Sequence, residues 1–236
     1  MNRVIIFVLV LVFAAATARA QDMRTVAAVN APLAYMAQTL GGAGVEVVFP
    51  VPPDTDPAYW SPQPDDIQRI QQSDLILLNG AGYAGWIENQ VLPRARLVDT
   101  TAAVRDRFVP SGAAEAVHRH GPEGEHSHGG GTAITTWLDP QIATAQVDAV
   151  AEAMAARWPD MAGDIAARKH ALHDDIKEMD AAFRAFFDDL SERQVLASHP
   201  VYQYLEQGYG LEIESLHFEP DEFPDESAWR DLEDLL

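Results

Sequence analysis

An α/β fold with parallel sheets and a long helical segment is what this sequence predicts. Three observations lead there. In the first half, short β-branched or leucine-rich runs (25–29, 45–51, 74–78, 96–98) alternate with stretches of helical spacing, the pattern of a parallel sheet with helical crossovers. From Pro140 to about Leu190 the chain is rich in Ala, Arg, Asp, Glu and Lys with apolar residues at helical spacing. Strand and helix signals then resume at Val195.

The elements follow in order. Residues 25–29 read as a buried strand, and 31–40 as a helix stopped by Gly41 and Gly42. Residues 45–51 form a second β-branched run, and Pro52-Pro53-Asp54-Thr55-Asp56-Pro57 a turn-rich loop. A helix opens at Pro64 and runs to residue 72; the strand 74–78 closes on Asn79-Gly80. A short helix (86–91) and a short strand (96–98) follow. Residues 109–136 are rich in Gly, His and Ala without periodicity and read as a mobile loop. Trp158-Pro159-Asp160 divides the helical region, leaving one helix before it and a longer one after it, to about 190. Beyond it lie a strand (195–198), a helix (200–207) stopped by Gly208, a strand (211–216) and a helix from 225. The expected boundaries are 1–20 for an export leader and 21–139 for the N-terminal domain with its His-rich loop at 117–130. Residues 140–192 are the helical segment, and 193–236 a partial C-terminal domain. Two strands and two helices bury little core by themselves, so the second domain is expected to be incomplete and the chain a piece of a longer one.

The leader is legible on physical grounds. Asn2 and Arg3 precede an apolar run at 4–16, and Ala18-Arg19-Ala20 offers small residues for cleavage before Gln21. The run is too short to span a bilayer. The sequence has no cysteine, which excludes disulfides, thiolate metal sites, cysteine nucleophiles and a lipid-modified cysteine. Removing Arg3 and Arg19 with the leader takes the formal charge from −20 to −22. So acidic a chain repels phosphate backbones, which argues against nucleic acid as a partner.

Four histidines and two glutamates crowd one segment: His118, His120, Glu123, Glu125, His126 and His128. Neutral imidazole is a favoured zinc ligand, and carboxylates can complete a shell. A Gly-rich loop lets imidazoles converge, but without preorganisation. His170, His173 and Asp174 share one face of that longer helix, where an ordinary charged helix face is the favoured reading. His199 follows the strand 195–198 and precedes Pro200. Ligands of open α/β sheets bind at the carboxyl ends of strands, so His199 is either a ligand or a capping and packing residue. No His-Glu-x-x-His or Gly-x-Ser-x-Gly motif is present, and no enzymatic activity is expected.

Taken together, several motifs resemble a known family. They are Pro52 to Pro57, then Ser61-Pro62-Gln63-Pro64-Asp65-Asp66; Asp74 to Gly80 with Trp86; the His-rich loop just before Trp137-Leu138-Asp139-Pro140; and Ser198-His199-Pro200 with Tyr204-Leu205 and Tyr209-Gly210-Leu211. In this order and spacing they resemble the zinc and manganese solute-binding proteins of bacterial ABC importers, the cluster A-I type. The resemblance runs from the mature N-terminus to the end of the sequence. It implies a monomeric periplasmic protein that captures Zn2+, or another divalent ion such as Mn2+, and delivers it to a membrane permease.

The resemblance also implies two βα domains with parallel sheets joined by one long connecting helix, here the helix at about 161–190, and a metal in the cleft between the domains, held by three histidines and a C-terminal carboxylate. Of these positions only the third keeps its imidazole, as His199. The first falls on Ala58, the second on Thr135, and the fourth would lie beyond Leu236. Alanine cannot bind a metal and a threonine hydroxyl is a poor zinc ligand. Three outcomes stay open. His118, His120, His126 and His128 fold in beside His199; or Tyr59, Trp60 and Thr135 line a cleft for another ligand, such as a metal chelate; or the cleft has lost its function. A periplasmic metal buffer or chaperone acting through the His-rich loop alone is the competing class.

Overall fold

The computed structural model describes residues 23–111, 117–119, 125–127, 131–190, 194–216, 218 and 223–236. The expected leader at 1–20, and His120 and His128, lie outside the described residues. The strands are β1 (Arg24–Ala28), β2 (Val45–Val48), β3 (Leu75–Leu78), β4 (Leu97–Asp99), β5 (Val117–Arg119), β6 (Glu125–Ser127), β7 (Val195–Ala197) and β8 (Ile213–Ser215). The α-helices are α1 (Ala31–Gly41), α2 (Pro64–Gln72), α3 (Pro140–Arg157), α4 (Ala162–Asp189), α5 (Gln203–Tyr209) and α6 (Glu226–Leu235).

β1 to β4 form a parallel sheet in the order β2-β1-β3-β4. Side chains alternate between its faces. Val26, Ala28, Leu75 and Leu77 join the large core beneath α1 and α3, whereas Ala27 and Ile76 join the smaller one with Ile70 of α2. Burial on both faces explains why the strands read as continuous apolar runs. β2 ends at Val48, short of the expected 51. Pro50 has no N–H to give the ladder, and Pro52 and Pro53 follow.

Asn30 caps α1, its Oδ1 accepting from Leu33 N at 2.9 Å. Asp139 caps α3 by accepting from Gln141 N at 2.7 Å and Ile142 N at 3.4 Å, and pairs with Arg107 at 2.8 Å. α4 has 28 residues, and its buried residues, Ile165 and Leu172, both lie in the first half. There it packs against α3, and Arg168 donates to the Leu40 carbonyl at 3.0 Å. Its far half carries Phe183 and Phe187, whose rings meet Tyr209 at 6.0 and 5.1 Å. Tyr209 also donates to Asp180 Oδ1 at 3.0 Å. β7 and β8 form a parallel pair, with α5 between them in sequence.

One expectation is corrected. The segment 109–136 is not loop throughout: β5 and β6 pair antiparallel within it. Backbone pairing needs no apolar face, so hydrophobic periodicity could not report it.

Candidate metal site and the crevice around it

In the order β2-β1-β3-β4 the chain changes winding direction between β1 and β3, and the crevice beyond their carboxyl ends is where such sheets bind ligands. Asn30 and Asn79 stand there, both 1% exposed. Asn79 Oδ1 accepts from Asn30 Nδ2 at 3.0 Å, Thr136 Oγ1 at 3.2 Å and Gln146 Nε2 at 3.3 Å. Its Nδ2 donates to the Ile134 carbonyl at 3.0 Å. One amide thus ties β3 to α1, to α3 and to the segment that carries Thr135.

After Asn79 the backbone is strained. Gly80, Ala81, Gly82 and Ala84 have φ of 74°, 53°, 75° and 58°. The two alanines occupy a region that costs a side-chain-bearing residue about 1–2 kcal/mol each, and such strain gathers at functional sites. The turn delivers Tyr83 into the core, edge-on to Trp137 at 5.7 Å. Burial pushes the Tyr83 phenol far above its usual range, with the Asp56 and Tyr59 charges adding to the effect. Tyr83 therefore stays neutral.

The first loop is folded on Asp56, whose Oδ1 accepts from Ala58 N at 2.8 Å and whose carbonyl accepts from Tyr59 N at 3.2 Å. Ala58 packs against the large core. Tyr59 and Trp60 are half-buried, and Trp60 meets Trp86 edge-on at 6.2 Å. The Trp86 Nε1 donor is buried with no hydrogen-bond partner among the described residues.

The Thr135 hydroxyl donates to the Val201 carbonyl at 2.7 Å. His199 is half-buried just past the carboxyl end of β7, and its carbonyl accepts from Val201 N at 3.0 Å. Thr135 and the His199 segment are thus brought together. His118 and His126 sit directly opposite each other in the β5–β6 register. His173 Nε2 lies 3.3 Å from Asp148 Oδ1, an oxygen that also accepts from Lys169 Nζ at 3.0 Å. His170 and Asp174 are exposed, so this face ties α4 to α3 as an ordinary charged face would. Among the described residues, no three of His, Asp and Glu are grouped to hold a metal ion.

Sequence reasoning missed Asn79, Gln146, Tyr83 and Tyr204. Asn79-Gly80 was legible only as a strand end. The partners of these side chains lie tens of residues away, where no local spacing rule reaches.

The family comparison decides the kinship. A family described as "ZnuA: Zinc-uptake complex component A periplasmic" matches residues 26–236. The chain belongs to the ZnuA family. A manganese-binding lipoprotein, MntA of Halalkalibacterium halodurans, is 24% identical over 177 residues, covering 74% of this chain and 54% of MntA. A zinc-binding protein, AdcA of Streptococcus pyogenes, is 20% identical over 166 residues, covering 66% of this chain and 32% of AdcA. The chain thus spans about half of one curated relative and about a third of the other. Among solved structures, the metal-dependent lipoprotein YcdH of Bacillus subtilis superposes with a TM-score of 0.73 at 17% identity, covering 90% of this chain and 74% of that one. The Zn(II)-bound ZnuA-like domain of Streptococcus pneumoniae AdcA gives 0.70 at 16%, with the same coverages. These likenesses show the ZnuA fold: the parallel α/β architecture with a long helix that the sequence predicted. The relatives are proteins of Zn2+ or Mn2+, which agrees with a metal ion as ligand.

Proposed function

We propose that this ZnuA-family chain, cleaved of its leader in the periplasm, captures zinc or a similar divalent ion such as Mn2+. It then passes the ion to the permease of an ABC importer, acting as a binding protein and not as an enzyme. The observation that carries this reading is the register of the hairpin, which sets His118 opposite His126. Neutral imidazole is a favoured zinc ligand, and the register brings the backbones of two such residues side by side. His120 and His128 lie two positions along from them in the sequence and are proposed as further donors. His199, at the carboxyl end of β7, is proposed as the ligand in the crevice.

Calorimetric zinc titration tests this on the wild type, on His199→Ala and on a chain lacking 117–130. A cooperating site weakens in both variants. Unchanged affinity in His199→Ala removes that residue from the site. Unchanged affinity in the deletion removes the hairpin.

A second reading is favoured by the absence of a three-residue metal group among the described residues: a periplasmic buffer in which the hairpin acts alone. It predicts loss of binding in the deletion and none in His199→Ala. A metal chelate lined by Tyr59, Trp60 and Thr135 is the remaining alternative. The buried, unpartnered Trp86 Nε1 beside Trp60 supports it as a donor awaiting an acceptor. Binding of a chelate but not of the free ion would select it.

A further inference from the structure

The turn that follows β7 is held by atoms from the first half of the chain. Its backbone acceptors are taken up one after another. The His199 carbonyl accepts from Val201 N at 3.0 Å, the Pro200 carbonyl from Gln203 Nε2 at 2.8 Å and the Val201 carbonyl from Thr135 Oγ1 at 2.7 Å. Gln203 Nε2 also donates to the Ser111 carbonyl at 3.0 Å. Ser111 and Thr135 precede α3, so these bonds join parts of the chain that the whole of α3 and α4 separates in sequence. Tyr204 of α5 adds a third tie. Its ring is wholly buried against Ala133 and Ile142, with Val104, Val109 and Leu138 around them. Its hydroxyl donates to the Ala133 carbonyl at 3.1 Å and accepts from Val109 N at 3.5 Å. The socket is itself fixed backbone: Ala133 N–H donates to the Val109 carbonyl and Ser111 N–H to the Gly131 carbonyl, both at 2.8 Å.

We propose that Thr135, Gln203 and Tyr204 form a latch that fixes the C-terminal βα unit, and with it the His199 turn, against the first half of the chain before any ligand arrives. A guest then enters a crevice that is already assembled, and the ordering of the His199 turn is not charged to its binding. The inference concerns conformation alone and does not need His199 to touch the ion. The three side chains are positioning residues. Each net hydrogen bond biases an equilibrium by roughly two- to tenfold. The unit can leave only by giving up all three ties together, so the unlatched arrangement is disfavoured by roughly tenfold to a thousandfold. Withdrawing the Tyr204 ring from its apolar socket adds to that bias.

The sequence has no cysteine, so Glu88→Cys with Glu212→Cys, at exposed positions on either side of the latch, gives one defined pair of nitroxide labels. Double electron–electron resonance then reads the distance between them in the full chain, first without metal and then with zinc alone. The metal-free distribution should be narrow and single, and zinc should leave it in place. Thr135→Val combined with Tyr204→Phe, which keeps the buried shapes, should broaden it, whereas Thr135→Ser, which keeps the hydroxyl, should not. In the same double variant, metal-free hydrogen exchange across 199–205 should rise several-fold while β3 stays protected, which separates local unlatching from unfolding. A broad or two-peaked distribution in the metal-free wild type overturns the latch. So does a peak that moves when zinc binds, and so does a double variant as narrow as the wild type. If calorimetry shows no zinc uptake at all, the metal-binding reading fails, and the metal-free comparison still decides for or against the latch.

Discussion

Replacing Asn79 with alanine should cost far more than its side chain's size suggests. The amide satisfies groups on three other segments and is itself almost wholly buried. Without it, Asn30 Nδ2, Thr136 Oγ1 and the Ile134 carbonyl lose their Asn79 partner. Gln146 Nε2 keeps Thr100 Oγ1 at 3.1 Å. A buried polar group left unpaired costs about 1–3 kcal/mol, and a water entering the vacated space favours the low end. Three such groups give a loss of about 3 kcal/mol, a large part of the about 5–15 kcal/mol that holds a domain together. Urea unfolding followed by circular dichroism should show a lower midpoint with an unchanged slope. Thr136→Val should cost less in the Asn79→Ala background than alone, because it removes a hydroxyl already orphaned. A measured loss below about 1 kcal/mol would refute the view of Asn79 as the knot of this network.

Gly80→Ala should destabilise by at least about 2 kcal/mol, read from thermal melts. Its Cβ would stand 2.0 Å from Thr101 Oγ1, at a φ of +74°. Asp139→Ala should lose about 1–2 kcal/mol through the missing cap and the stranded Arg107, whereas Asp139→Asn should recover about half by retaining the cap; chemical denaturation separates the two. Alkaline titration should find stability flat up to about pH 10 and falling above it, where unfolded tyrosine ionises. Burial raises the phenols of Tyr83, Tyr204 and Tyr209 in the folded state. Their contribution is therefore whole below the unfolded value and is lost as pH climbs past it. Tyrosinate absorbance rising only together with unfolding checks the assignment.

The parallel sheet was legible because its strands are buried on both faces and bounded by turn residues such as Asn79-Gly80. The connector helix was expected over 161–190 and spans Ala162–Asp189, since Trp158-Pro159-Asp160 marks its start in any context. The hairpin was not legible, because His118 and His126 pair through backbone atoms that every residue carries. At the candidate site, the position of His199 after β7 could be read from the strand-then-Pro pattern. What Thr135 does could not. Its hydroxyl could have faced a ligand or a carbonyl, and the Val201 carbonyl that claims it lies 66 positions away. The same holds for His173, where proximity to Asp148 follows from the packing of α4 on α3 and not from the spacing on α4 itself.

The shape of α4 has a mechanical consequence. Beyond Leu172, its last buried residue, the rod continues for about 25 Å at 1.5 Å per residue. A cantilever of that reach would swing its tip by about 2 Å for a tilt of only 5° or so. Here the tip is braced. Tyr209 holds the far half of α4 through Phe183, Phe187 and Asp180, while Tyr204, on the same short helix α5, is pinned against Ala133 and Ile142 with its hydroxyl on the Ala133 carbonyl. Rod, brace and pin close a triangle, and a triangle resists shear where a single hinge does not. The crevice between its sides should therefore behave as a frame of set width, adapting to a guest through side chains more than through the swing of one half against the other.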